Sequence, residues 1–440
     1  MSRLLAPPVA RTRLANGLQL LVAARPGVPL VAIRLLVRAG SSLDPARRHG
    51  LAHLAAAAVR RGTRRRSGTR LDAEVEALGT VLGGGVDEDA AVLGLSAPLE
   101  ALPRLLDVVA DVAIRPTFPA GEVDRLRRRE VAALAHEIDE PGVLADRATL
   151  EACFGDHPYG HPADGRGRDV AAVRRAELAA FHDRHWRPSR GTLVVVGPVD
   201  PVRTLAQVVR RFGGWKGTQG AELEIAPPAP PAGPAVVIVD RPELTQVQLR
   251  IASAGYHRGS PDYTAGLVAG AVLGGGFTSR LMEAVRVNRG LSYGVRSRFS
   301  TSRAGGLFAF SSFTKVETAG ELVQVALDEV ARFREGGPTG EELERIGGYL
   351  CGLYPLGLET HEQWAEKLAE VELHGLGDAE VEGFTDRVRA VDAAACLAVA
   401  RRWFPSERRV VVAVGPARRL RPQLARFGPV RVVVARTVVW

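Results

Sequence analysis

The chain has 440 residues, a formal net charge of +9, 46% hydrophobic and 24% charged residues. That balance excludes a fibrous or wholly disordered chain, and the length exceeds what one ordinary core holds, so two or more domains are expected. No apolar run approaches the ~18 residues that a membrane-spanning helix needs, so no membrane partner is expected.

The excess positive charge is almost entirely arginine, since lysine occurs only at Lys216, Lys315 and Lys367. Its densest cluster, Arg60 to Arg70, has no interleaved aromatic residues on which bases could stack, so no nucleic-acid partner is expected. Cys153, Cys351 and Cys396 lie far apart and form no C-x-x-C pair. The first residues lack an uninterrupted apolar stretch followed by a small-residue cleavage site. Both features suit a cytoplasmic protein.

In chain order, LQLLVAA and VAIRLLV read as strands. Segments with helical period follow at Leu71 to Leu78, Leu99 to Ile114, Gly121 to Glu137 and Ala171 to His185, punctuated by Pro116, Pro119 and Pro141. The Pro-rich run Ala226 to Pro234 cannot hold a helix or a central strand and reads as a linker. The segments on its two sides repeat one another. A strand-like run ends at Gly40 in the first and at Gly255 in the second. W-x-P-S then recurs at Trp186 to Ser189 and at Trp403 to Ser406, each time before a valine-rich strand and Gly-Pro. Both matches fall at nearly the same interval, which predicts a duplicated domain. The expected organisation is an N-terminal domain over 1–216, a linker over 217–234 and a C-terminal domain over 235–440. The expected class is α+β: two homologous domains, each a largely antiparallel sheet packed by helices.

The stretch HGLAHLAAAAVRRGTRRRSG places His53 on an apolar helix without a polar neighbour. Further along stand LDAEVEALGTVLGGGV, RPTFPAGEVDRLRRREVAALAHEI, HPYGHP, WRPSRGTLVVVGPVD and LGGGFTSRLMEAVRVNRGLSYGV. Together these segments resemble the insulinase or pitrilysin family of zinc peptidases, of the mitochondrial-processing-peptidase type, over essentially the whole chain. That family carries an inverted zinc motif, H-x-x-E-H. Its two histidines sit one turn apart on a helix, its glutamate is the general base, and a distant glutamate is the third ligand. The resemblance sets His53 at the first histidine and Glu137, seven residues after Glu130, at the distant ligand. It sets Ala56 at the general base and Ala57 at the second histidine. The remnant positions His53 and Glu137 therefore imply a degenerate motif with no metal in this chain. A buried hydrogen bond between His53 and Glu137 is the expected use of the survivors.

Other histidines do not replace the missing ligand. His49 is spaced four residues from His53 but precedes the helix, behind Gly50; His136 adjoins Glu137 but points about 100° away on a helix. His157 and His161 lie in HPYGH, where proline and glycine forbid a helix that would align them. The strings LGGGV and LGGGF lack the Lys-Ser/Thr of a phosphate loop and read as tight turns or close backbone approaches.

In RVNRGLSY, Gly290 is the expected helix-ending residue and Arg289 lies near the negative helix end. The resemblance implies that Arg286 and Tyr293 are the arginine and tyrosine that approach the zinc from the C-terminal domain. The arginine binds a substrate carbonyl or carboxylate, and the tyrosine stabilises the oxyanion, worth about 2–4 kcal/mol in the transition state. In some bacterial members the zinc motif and this pair reside on different chains. The expected function is accordingly the noncatalytic subunit of a heterodimeric zinc endopeptidase acting on peptides. Zinc would be held by a homologous partner chain. Two alternatives stay open: an autonomous hydrolase with rearranged ligands, and a scaffold or peptide-binding protein.

Overall fold

The computed structural model describes residues 6–217 and 224–440. Twelve strands fall into two six-stranded mixed sheets covered by helices. The first sheet contains β1 (Val9–Arg13), β2 (Gln19–Ala24), β3 (Leu30–Val37), β4 (Gly83–Val86), β5 (Ala91–Pro98) and β6 (Gly191–Gly197), in the order β1-β2-β6-β3-β5-β4. The second contains β7 (Ala235–Asp240), β8 (Gln246–Gly255), β9 (Val295–Thr301), β10 (Gly306–Lys315), β11 (Val410–Gly415) and β12 (Val430–Val434), in the order β12-β7-β11-β8-β10-β9.

Five strands of each sheet are equivalent. β2, β6, β3, β5 and β4 stand in the same order and sense as β7, β11, β8, β10 and β9. The valine-rich runs after the two W-x-P-S motifs become β6 and β11, each wholly buried between two neighbours. A fully buried strand needs apolar side chains on both faces, which explains their unbroken valines. The sixth strand differs: β1 pairs antiparallel with β2, whereas β12 pairs parallel with β7.

Each compact unit draws on three segments of the chain. The first comprises 1–132, 162–224 and 354–382; the second comprises 133–161, 225–353 and 383–440. Thus the helix His361–Leu373, held at its start by a Thr360/Gln363 capping box, packs on the first sheet. Its Trp364, Ala365, Leu368 and Ala369 join Leu21, Ala32, Leu36, Val194 and Val196 in one core. The helix Pro141–Phe154 packs on β8 and β11 of the second sheet. Asp146 on that helix accepts a 2.6 Å hydrogen bond from Arg250 of β8.

The helices differ from their expected extents: that expected over Leu71 to Leu78 spans Gly68–Glu76, and that over Leu99 to Ile114 opens with a 3₁₀ turn over Leu99–Ala101. The segment from Ala171 to His185 is broken: one helix ends at Ala172, and another begins at Arg175, where the Glu177 carboxylate accepts the Arg174 backbone N–H at 2.8 Å. The segment from Gly121 to Glu137 is helical only to His136, and Glu137 opens a 3₁₀ turn. Within the linker, residues 218–223 lie outside the described residues; the stretch 224–234 has no regular secondary structure. Among the described residues no helix is long and apolar enough to cross a membrane.

Candidate functional site

The helix Leu51–Ala58 carries the remnant motif. Gly50 precedes it at φ 95°, a left-handed conformation that glycine adopts without strain. Asp44 accepts the backbone N–H groups of Gly50 at 2.6 Å and Ala52 at 2.7 Å, satisfying donors that a helix start leaves unpaired. Leu51, Ala52, Leu54, Ala55, Ala56 and Ala58 are buried, so alanine lets this helix pack closely.

His53 is half-buried, and its Nε2 lies 3.5 Å from Oε2 of Glu130. That contact, with a 2.7 Å hydrogen bond from Arg129, holds the Glu130 carboxyl down at about 2. The partner expected for His53 is Glu137, but the carboxylate found against it is that of Glu130. Glu137 accepts a 2.5 Å hydrogen bond from the buried Arg147 instead.

These residues do not fit a zinc ion. Ala56 and Ala57 offer methyl groups where a base and an imidazole would stand, and both surviving polar groups are committed elsewhere. Among the described residues no three His, Cys, Asp or Glu side chains are grouped so as to hold a metal. His49 precedes the helix, with Nδ1 3.2 Å from Asp169. The His157 Nε2 meets the Ala226 carbonyl at 2.8 Å, and its ring packs edge-on against Tyr159.

Arg286 and Tyr293 are brought together. A short helical turn over Arg280–Met282 widens into a π-helix over Glu283–Val287, closed by the Asn288 N–H donating to the Glu283 carbonyl at 2.9 Å. One extra residue in the turn rotates the side chains that follow, and such turns gather at functional sites. Gly290, at φ 59°, donates its N–H to the Arg286 carbonyl and ends the turn as expected. Arg289 donates to the Ala284 carbonyl at 3.1 Å. The Arg286 guanidinium carbon lies 4.7 Å from the centre of the Tyr293 ring and 5.6 Å from that of Phe277. Tyr293 is 77% exposed and Phe277 79% exposed. Among the described residues neither the Tyr293 hydroxyl nor the Arg286 guanidinium has a hydrogen-bond or carboxylate partner, so both polar tips are available to a ligand.

Sequence reasoning passed over Phe277, Tyr349, Arg296 and Arg298, which surround Tyr293. The available signals were an exposed aromatic directly after three glycines and arginines alternating along VRSRFST.

The sequence model described as Insulinase (Peptidase family M16) matches residues 20–162, and that described as Peptidase M16 inactive domain matches 172–347. An uncharacterized zinc protease of Mycobacterium tuberculosis is 30% identical over 94% of this chain and 95% of its own length. One of Streptomyces coelicolor is 27% identical over 89% of this chain and 86% of its own. Among solved structures, a peptidase M16 inactive domain from Pseudomonas fluorescens is 27% identical with a TM-score of 0.87, covering 93% of this chain and 98% of that one. A protease from Helicobacter pylori shares the fold at 17% identity, with a TM-score of 0.87 over 94% of this chain and all of its own. With matches to both family models and to full-length relatives, and with its two duplicated sheets, the chain belongs to the insulinase, or M16, peptidase family.

Proposed function

We propose that this chain is the noncatalytic subunit of a two-chain zinc endopeptidase, completing the site of a homologous partner whose H-x-x-E-H motif is whole. The observation that carries the reading is an asymmetry. The positions for metal and general base are alanines, with His53 and Glu137 turned to structural partners, whereas the half-buried Arg286 lies on the exposed ring of Tyr293 and neither polar tip has a hydrogen-bond partner among the described residues. A guanidinium laid on a tyrosine ring is restrained by about 0.5–1 kcal/mol at an exposed site. That contact biases both groups toward this arrangement before substrate arrives.

In this assembly the partner supplies the zinc and the activated water. Arg286 binds a carbonyl or carboxylate of the peptide and sets its position. The Tyr293 hydroxyl donates a hydrogen bond to the scissile carbonyl oxygen as negative charge gathers there. The relatives named as zinc proteases and the free, buried cysteines Cys153, Cys351 and Cys396 support a peptidase role in a reducing cytoplasm. The test is to purify the chain from its native host, identify a co-purifying family member with an intact motif, and compare peptide cleavage by each chain alone and by the pair. Cleavage by the pair only is expected. A chain that cleaves alone, or a pair no faster than the partner alone, would contradict the proposal.

A further inference from the structure

Tyr293 lines a cleft of about 730 Å³ that lies wholly within the second unit. Its walls come from β8, β9 and β10, from the turn Gly274 to Phe277, and from Tyr349. Three arginines, Arg250, Arg296 and Arg298, face the cleft and no aspartate or glutamate lines it. Arg250 is buried and engaged with Asp146 at 2.6 Å and the Gly142 carbonyl at 3.1 Å, so its charge is already answered. Arg296 and Arg298 are different. They are exposed, and among the described residues neither side chain has an ion pair or a hydrogen bond. Arg286 adds another unanswered guanidinium above Tyr293 and Phe277.

Two residues apart on edge strand β9, Arg296 and Arg298 project from the same face, at a spacing of roughly 7 Å. An extended peptide presents alternate side chains at that same spacing. Beside the two arginines stand aromatic surfaces: Phe277, Tyr293 and the half-exposed Tyr349. A ligand matching this cleft carries carboxylates on alternate residues and apolar side chains between or beside them.

We propose that the cleft binds acidic, extended peptide segments, with Arg296 and Arg298 receiving successive carboxylates and the aromatic wall receiving an apolar side chain. This names the substrate class for the two-chain peptidase and rests on that reading for its use in cleavage. Binding itself needs only this chain.

The experiment is calorimetric titration of the full chain with a short peptide bearing glutamates at alternate positions and leucines between, and with its glutamine twin. The acidic peptide is expected to bind about tenfold tighter, as two exposed ion pairs allow, and the preference should shrink as salt rises. The double variant Arg296→Gln/Arg298→Gln should lose the preference, while Arg296→Lys/Arg298→Lys should keep most of it, with thermal unfolding confirming that both fold. Equal affinity for the two peptides, a preference that survives the glutamine variant, or tighter binding of an oligothymidylate than of the acidic peptide would overturn the inference. Failure here with a normal Tyr293→Phe effect in the assembled pair would remove the inference alone. A clear peptide preference with no Tyr293→Phe effect would instead remove the proposed function.

Discussion

Arg147, buried on the helix Pro141–Phe154, donates a 2.5 Å hydrogen bond to Glu137, the residue that the resemblance sets at the distant ligand position. The carboxylate therefore serves as counter-charge to a guanidinium that burial would otherwise leave costly. Removing it should destabilise the fold. Glu137→Ala should cost about 2 kcal/mol, below the ~3–5 kcal/mol of a fully enclosed pair, because Glu137 keeps some solvent contact. Chemical unfolding of the variant measures this; an unchanged midpoint would return Glu137 to the role of idle remnant.

Metal content follows from the same assignments. After ordinary purification the chain should hold far less than one zinc per molecule, as measured by atomic emission. Ala57→His puts a second imidazole one turn from His53, which itself touches Glu130, so it should raise zinc binding measurably; Ala56→Glu alone adds no such imidazole and should do little. Near-stoichiometric zinc in the unaltered protein would contradict this account of His53.

The Asp44 carboxylate gives a pH signature. Burial pushes its pKa from 3.8 up to about 7, against the backbone hydrogen bonds from Ala52 and Gly50 and the charge of His53, which pull it down. The folded chain thus keeps a proton that the unfolded chain has released, so stability falls as pH rises from about 4 to about 7. Asp44→Asn cannot ionise and should flatten that part of the profile. Unfolding midpoints of both proteins across this range check it; parallel profiles would refute it.

Gly290 links the two groups of the proposed substrate site. Its φ of 59° is left-handed, and an added Cβ would meet no atom within 4 Å, so the cost of a side chain there is one of backbone conformation alone. Gly290→Ala should cost about 1 kcal/mol and Gly290→Asn less, because asparagine tolerates this region. Thermal unfolding of the two variants distinguishes them; equal losses would show a steric clash instead.

Much of this architecture was legible in the sequence because the duplicated strands carry their own pattern. A strand buried on both faces must be apolar throughout, so the valine runs after Trp186 and Trp403 announced equivalent central strands. The composition of the units was not legible. An amphipathic helix such as His361–Leu373 shows that it covers a sheet but not which one. His53's partner was equally hidden: Glu130 and Glu137 are two turns apart and would share one helix face. Seven residues also separate them by about 10 Å along a helix axis, so the pattern does not say which of the two meets His53. The basic cleft was missed because the exposure of Phe277 and the lack of facing carboxylates are properties of the folded unit.

The most direct test of the account is the activity of Tyr293→Phe reconstituted with the zinc-bearing partner. The change removes one hydroxyl from an exposed ring and little volume, so complex formation by gel filtration and zinc content should stay as they are. The account predicts a fall in kcat of about 10²-fold, the usual cost of an oxyanion donor. Arg286→Ala should raise KM as well, because substrate anchoring goes with the guanidinium. Full activity in the Tyr293→Phe pair would contradict the central claim and leave this chain a scaffold for its partner.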